Sequence, residues 1–172
     1  MTTFEVTSGK INITDPCYSP DTWCAIFDLD AENGIWYADV EKYDAGDWGN
    51  RCARLVATHE SLKKGTYETK LEVLEIGVDS GQAGIFDSSL YEDKHSEKLE
   101  LDFDNPSCFY ERCCKATLGE LKWGTVDGKG VVSSSGYGDG GYDVYVFKKD
   151  GKVVAVEVIF IDPDLEDEEE DY

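Results

Sequence analysis

Four aspartates sit beside turn residues in this chain, and carboxylates so placed are its best candidates for chemistry. Asp15 precedes Pro16, Asp79 and Asp87 bracket Ser80-Gly81-Gln82-Ala83-Gly84, and Asp139 lies within Gly136-Tyr137-Gly138-Asp139-Gly140-Gly141. Hard cations take several oxygen ligands, so Asp15, Asp79, Asp87 and Asp139 form a candidate divalent-metal set if the fold brings them to one cleft. A metal held there would polarise a phosphoryl or carbonyl oxygen and supply hydroxide near neutral pH. No other cofactor is expected. The competing account is that short acidic side chains hydrogen-bond their own turns. Ser80 and the serines at 133–135 show no Ser-His-Asp partner set, so no catalytic residue is assigned.

The glycine-dense segment 136–141 contains the spacing Gly-x-Gly-x-x-Gly. A dinucleotide site needs a helix after its third glycine, whereas residues 142–148 read as a strand. The segment is therefore read as a bulged strand corner from which Tyr137, Asp139 and Tyr142 project. A nucleotide signal held between its aromatic faces is an alternative. Residues 28–34 open like a calcium loop, but the glycine falls one position late and strands flank it, which leaves a solvated hairpin turn. Six cysteines and two histidines show no zinc spacing, and the thiols are expected to stay reduced in the cytoplasm.

Charge narrows the partners. The formal net charge is −21, from 16 basic and 37 acidic residues. The tail 162–172 holds eight acids, which leaves −21 + 8 = −13 on the rest. Such a field disfavours direct nucleic-acid and membrane binding and favours a basic protein partner.

The elements that must position these residues are mainly strands. Alternation and turn residues place strands at 4–7, 10–14, 23–29, 35–43, 51–58, 69–78, 130–134, 142–148 and 152–161. Asn33-Gly34 is expected to close a hairpin between 23–29 and 35–43, and Asp150-Gly151 another between the last two strands. In 69–78 the buried phase is assigned to Leu71, Val73 and Ile76, and 78–87 is read as a glycine-rich turn. One helix is expected over 106–118, with Phe109, Cys113 and Thr117 on one row and Tyr110, Cys114 and Leu118 on the next. Asn105 would cap it, Pro106 start it and Gly119 end it in the left-handed region. The fold class is mainly β (α+β): an antiparallel β-sandwich or curled sheet, with that helix packed on one face. Residues 1–161 make one domain and 162–172 a disordered acidic tail.

Four segments carry a family resemblance: Ser8-Gly9-Lys10-Ile11-Asn12-Ile13-Thr14-Asp15-Pro16-Cys17-Tyr18, Trp48-Gly49-Asn50-Arg51-Cys52-Ala53, Val78-Asp79-Ser80-Gly81 through Phe86-Asp87, and Ser135-Gly136-Tyr137-Gly138-Asp139-Gly140-Gly141-Tyr142 through Tyr145. In that order they resemble the bacterial and phage family named domain of unknown function 4241, over residues 8–161. Asp143 and Val146 stand where relatives carry proline and tryptophan. The resemblance implies a single intracellular domain, brings no activity with it, and favours Asp15, Arg51, Asp79, Asp87 and Asp139 as shared site or shared structural knot. The ligand or partner candidates are thus Asp15, Arg51, Asp79, Ser80, Asp87, Tyr137, Asp139 and Tyr142. The expected function is a non-catalytic binding or inhibitory module for a basic toxin, nuclease or defence protein, with DNA mimicry as one form of it. A metal-dependent hydrolase or small-ligand binder is the alternative.

Overall fold

A computed structural model describes residues 2–19, 22–64, 69–92 and 108–162. Among these residues the architecture is two antiparallel sheets and one α-helix. The first strands are β1 (Thr2–Val6), β2 (Lys10–Thr14), β3 (Ile26–Asp30), β4 (Gly34–Asp44) and β5 (Asn50–His59). After them come β6 (Lys70–Val78), β7 (Gln82–Asp87), helix α1 (Phe109–Leu118), β8 (Trp123–Val126), β9 (Gly130–Ser134), β10 (Gly140–Lys149) and β11 (Lys152–Ile159). The six-stranded sheet runs β1-β4-β5-β11-β10-β6, and the five-stranded sheet runs β3-β2-β7-β9-β8. No helix among the described residues is long and apolar enough to cross a membrane.

Three layers result, because β7 is buried along its whole length. Ala83 and Ile85 face the main core with Val131, Val144, Val146 and Trp36 of both sheets. Phe86 faces the other way, into a smaller core with Phe109 and Cys113 of α1, Val126 and Val132. The two phenyl rings meet edge to face at 5.0 Å, a favoured aromatic geometry. The five-stranded sheet is thus sandwiched between the six-stranded sheet and α1. The outer face of the six-stranded sheet carries no further layer among the described residues.

Several expectations change. Asn33-Gly34 does not close a hairpin: β3 pairs with β2, and β4 pairs with β1 and β5 in the other sheet. The polar groups of Asn33 serve other elements, since its Oδ1 accepts the Gly9 N–H at 2.7 Å and its carbonyl accepts from His59 Nε2 at 2.8 Å. The chain crosses between sheets there. Residues 78–87 are not one turn, because only 79–81 lie between strands and the rest is β7. The buried phase of β6 is Ile76 and Val78 with Leu74 half-buried, while Leu71 and Val73 are 51% and 55% exposed. Strand β3 starts at Ile26 and not at residue 23, and β8 was not foreseen.

Helix α1 packs on β8 and β9 with Phe109, Cys113 and Thr117 buried, as the row predicts. Leu118 is exposed instead, and Glu111 takes a fully buried place. Cys108 is extended, with φ −129° and ψ 164°, so the helix begins at Phe109. Gly119 ends it with φ −69° and ψ 174°, outside the left-handed region. Asn105, Pro106 and the tail beyond Asp162 lie outside the described residues. The Asp150-Gly151 hairpin forms as expected, with φ of 53° and 82° joining β10 to β11.

Candidate functional site

Asp15 is a structural knot. It has no exposed surface, and its carboxylate takes the backbone N–H groups of Cys17 (2.8 Å), Asp79 (2.8 Å) and Ser80 (2.6 Å) together with the Ser80 hydroxyl (2.6 Å). A carboxylate so engaged has its lone pairs filled by N–H and O–H donors. The consequence is mechanical: the loop after β2 is pinned to the turn between β6 and β7. Burial, followed by the Asp15 charge, pushes the neighbouring Cys17 thiol up to about 12. Burial also raises Cys113 and Cys114, so none of these thiols is a thiolate nucleophile at neutral pH.

Asp87 forms a second knot at the far end of β7. Its Oδ2 accepts from Thr7 N (2.6 Å), Thr7 Oγ1 (3.3 Å) and Ser8 N (3.1 Å), and its Oδ1 accepts from Ser89 N (2.8 Å). Burial by itself would raise this carboxyl, but the hydrogen bonds from Ser8, Thr7 and Ser89 outweigh it and lower the group to about 2. Asp87 is the last residue of the six-residue strand β7 and Asp79 lies before its first, and a strand of that length spans roughly 20 Å. One cation cannot bridge them. Among the described residues no group of three or more His, Cys, Asp or Glu is placed to hold a metal.

The glycine-dense corner is closed by its own groups. The Tyr142 hydroxyl lies between the carbonyls of Ser135 (3.0 Å) and Gly138, and Ser135 Oγ donates to Gly138 O at 2.9 Å. The Tyr142 ring stands edge-on to Phe160 at 5.4 Å. Gly136 has φ 57°, and a β-carbon on it would lie 2.9 Å from Ile161 Cγ1, so glycine is needed for close packing. Tyr137 is 46% exposed on the corner. Arg51 is remote from Asp15, its Nε donating to Trp48 O at 2.7 Å across the β4–β5 turn.

What the fold does gather is a pair of grooves on the uncovered side of the six-stranded sheet. One, of about 620 Å³, is lined by Glu41, Arg54, Glu157, Tyr145, Asp143 and Glu75, among others. The other, of about 820 Å³, is lined by Tyr18, Trp23, Cys24, Asp79, Asp139 and the β6 residues Glu75 to Val78. They share Glu75 and Gly141 and so adjoin. The Asp15 knot positions the wall that bears Tyr18, Trp23 and Cys24. Trp23 is 93% exposed.

The electrostatics of these grooves are uncompensated. The lining cations are already engaged: Arg54 pairs with Glu157 at 3.1 Å and Glu41 at 3.8 Å, and Lys42 Nζ donates to Leu121 O at 2.6 Å. Glu75 and Asp143 are directly opposite each other across β6 and β10, and neither makes an ion pair among the described residues. Gly77 donates its N–H to Cys24 O, away from β10, so every second pair along this ladder, Glu75–Asp143 included, is of the non-hydrogen-bonded kind whose side chains approach more closely. Two like charges directly opposite destabilise a sheet. A cation placed over them relieves that repulsion.

Of the residues singled out from the sequence, Asp79 and Asp139 line this site, Asp15 and Ser80 brace it, Tyr142 lines its edge while pinning the corner, and Asp87 and Arg51 serve elsewhere. Sequence reasoning missed Glu75, Asp143, Glu157 and Trp23. Phase could have found Asp143, which alternates with the buried Val144 and Val146, but not Glu75, which shares its phase with the apolar Leu71 and Val73. No family model matches the chain, and neither a curated protein nor a solved structure matches it.

Proposed function

We propose that the protein is a non-catalytic binding module whose acidic sheet face receives a basic segment of another protein. The observation that carries this reading is the unneutralised Glu75–Asp143 pair at the junction of two grooves, beside a tryptophan that is 93% exposed. Lysine or arginine would sit over the carboxylates, and the Trp23 indole would add a cation–π contact of about 0.5–1 kcal/mol. A net charge of −21 steers such a partner toward the face from a distance. Toxins, nucleases and defence proteins offer basic surfaces of this kind, and a row of carboxylates on a sheet can stand in for phosphates there. The six cysteines are all free thiols, which suits a reducing cytoplasmic setting.

The test is retention of a partner from host lysate over a salt series, followed by direct titration of whatever is retained. The unaltered protein is expected to hold a basic partner at low salt and release it as salt screens the charges. The double variant Glu75→Gln, Asp143→Asn should hold it at least about tenfold more weakly, equivalent to about 1.4 kcal/mol. No retained partner at low salt, or equal affinity in the double variant, overturns the reading.

A further inference from the structure

The uncovered sheet ends at β6, and the backbone there is arranged to receive another strand. Along a strand the N–H and C=O of one residue point to one side and those of the next to the other. Gly77 already uses the outer side, giving its N–H to Cys24 O at 2.8 Å. By the same alternation Leu71, Val73 and Glu75 turn their N–H and C=O groups to the outer edge. Among the described residues none of those groups meets a partner, and no strand pairs with that edge.

Side chains on the same stretch define what would lie beside it. Leu71 and Val73 are more than half exposed and stand opposite Phe147 and Tyr145 of β10, making a short apolar strip on the outer face. Glu75 follows on the same face, opposite Asp143. We infer that an extended basic segment of a partner protein adds to β6 as a further antiparallel strand, its apolar residues over Leu71 and Val73 and its lysine or arginine over Glu75 and Asp143. Strand addition is an established mode of peptide capture, in which main-chain bonds give affinity and alternate side chains give selectivity. Charge decides the occupant: a second copy would bring its own −21 against these carboxylates, whereas a basic strand is attracted. This inference rests on the binding function proposed above and adds its geometry.

The probe is the synthetic peptide Lys-Thr-Lys-Thr-Val-Thr-Val, compared with two N-methylated isomers and titrated into the unaltered protein. Methylation of the lysine and valine amides removes the donors that would face β6, and methylation of the threonine amides removes those facing away. The first isomer should bind at least about tenfold more weakly than the second, and amide exchange at Leu71, Val73 and Glu75 should slow on binding of the parent peptide. Val73→Pro should weaken binding comparably with unchanged circular dichroism, since proline is tolerated on an edge strand whose N–H faces solvent. Where that variant fails to fold, the isomer comparison decides alone. Equal affinity of the two isomers overturns strand addition and leaves charge-driven binding standing. Absence of any peptide binding at low salt removes the acidic-face function and this inference together. Self-association that Val73→Pro abolishes would make the occupant a second copy and overturn the inference.

Discussion

Glu75 and Asp143 hold two negative charges side by side in a closely spaced cross-strand pair, and a fold selected for stability alone would not keep them so. Glu75→Gln is therefore expected to stabilise the protein by about 0.2–1 kcal/mol in urea unfolding while weakening partner binding. A loss of stability in this variant would show that the pair supports the sheet. Asp87 illustrates the opposite use of a carboxylate. Its carboxyl is lower in the fold, about 2, than the ordinary 3.8, so its stabilising contribution is complete above 3.8 and disappears as pH falls through about 2. Asp87→Asn should destabilise by about 1–3 kcal/mol at neutral pH, because its backbone donors lose a charged acceptor. The gap between variant and unaltered protein should close across that acid window, as read from unfolding midpoints at successive pH values; a constant gap would mean that the charge is not what the knot uses.

Strand β7 shows best what an element's neighbours add to its sequence. Gly84 invites a turn reading beside Gly81, yet it lies mid-strand because a β-carbon there would stand 2.2 Å from Phe86 Cζ and 2.5 Å from Val131 O. Gly84→Ala should cost at least about 1–3 kcal/mol by forcing Phe86 out of the smaller core, measured as a lowered thermal midpoint. A neutral effect would mean that the Phe86 ring has room to move. The Asp150-Gly151 hairpin and the α1 row of Phe109, Cys113 and Thr117 were legible because turn chemistry and helical period are local. Asn33-Gly34 misled for a reason that is not local: Gly9 and His59 claim its polar groups from distant strands. In β6 the apolar residues occupy both phases, so periodicity could not say whether Leu71 or Ile76 faces inward, and only the pairing with β10 decides.

At the scale of the whole molecule, one face of the six-stranded sheet is bare among the described residues and carries Glu75, Asp143 and Glu157 of β6, β10 and β11. The acidic character was readable from composition. The site was not, because Glu41, Glu75, Asp143 and Glu157 become neighbours only through the strand order β4-β5-β11-β10-β6. Asp15, Asp79, Asp87 and Asp139 drew notice as turn-flanking carboxylates, and two of the four proved to be knots with filled lone pairs. Strand β11 comes last among the described strands yet lies between β5 and β10, in the middle of the six-stranded sheet. During synthesis the two halves of the acidic face must wait for it, separated and with raw flanks. A polypeptide still missing residues 152–159 presents that face only in fragments, so under the proposed function a partner engages only the finished chain.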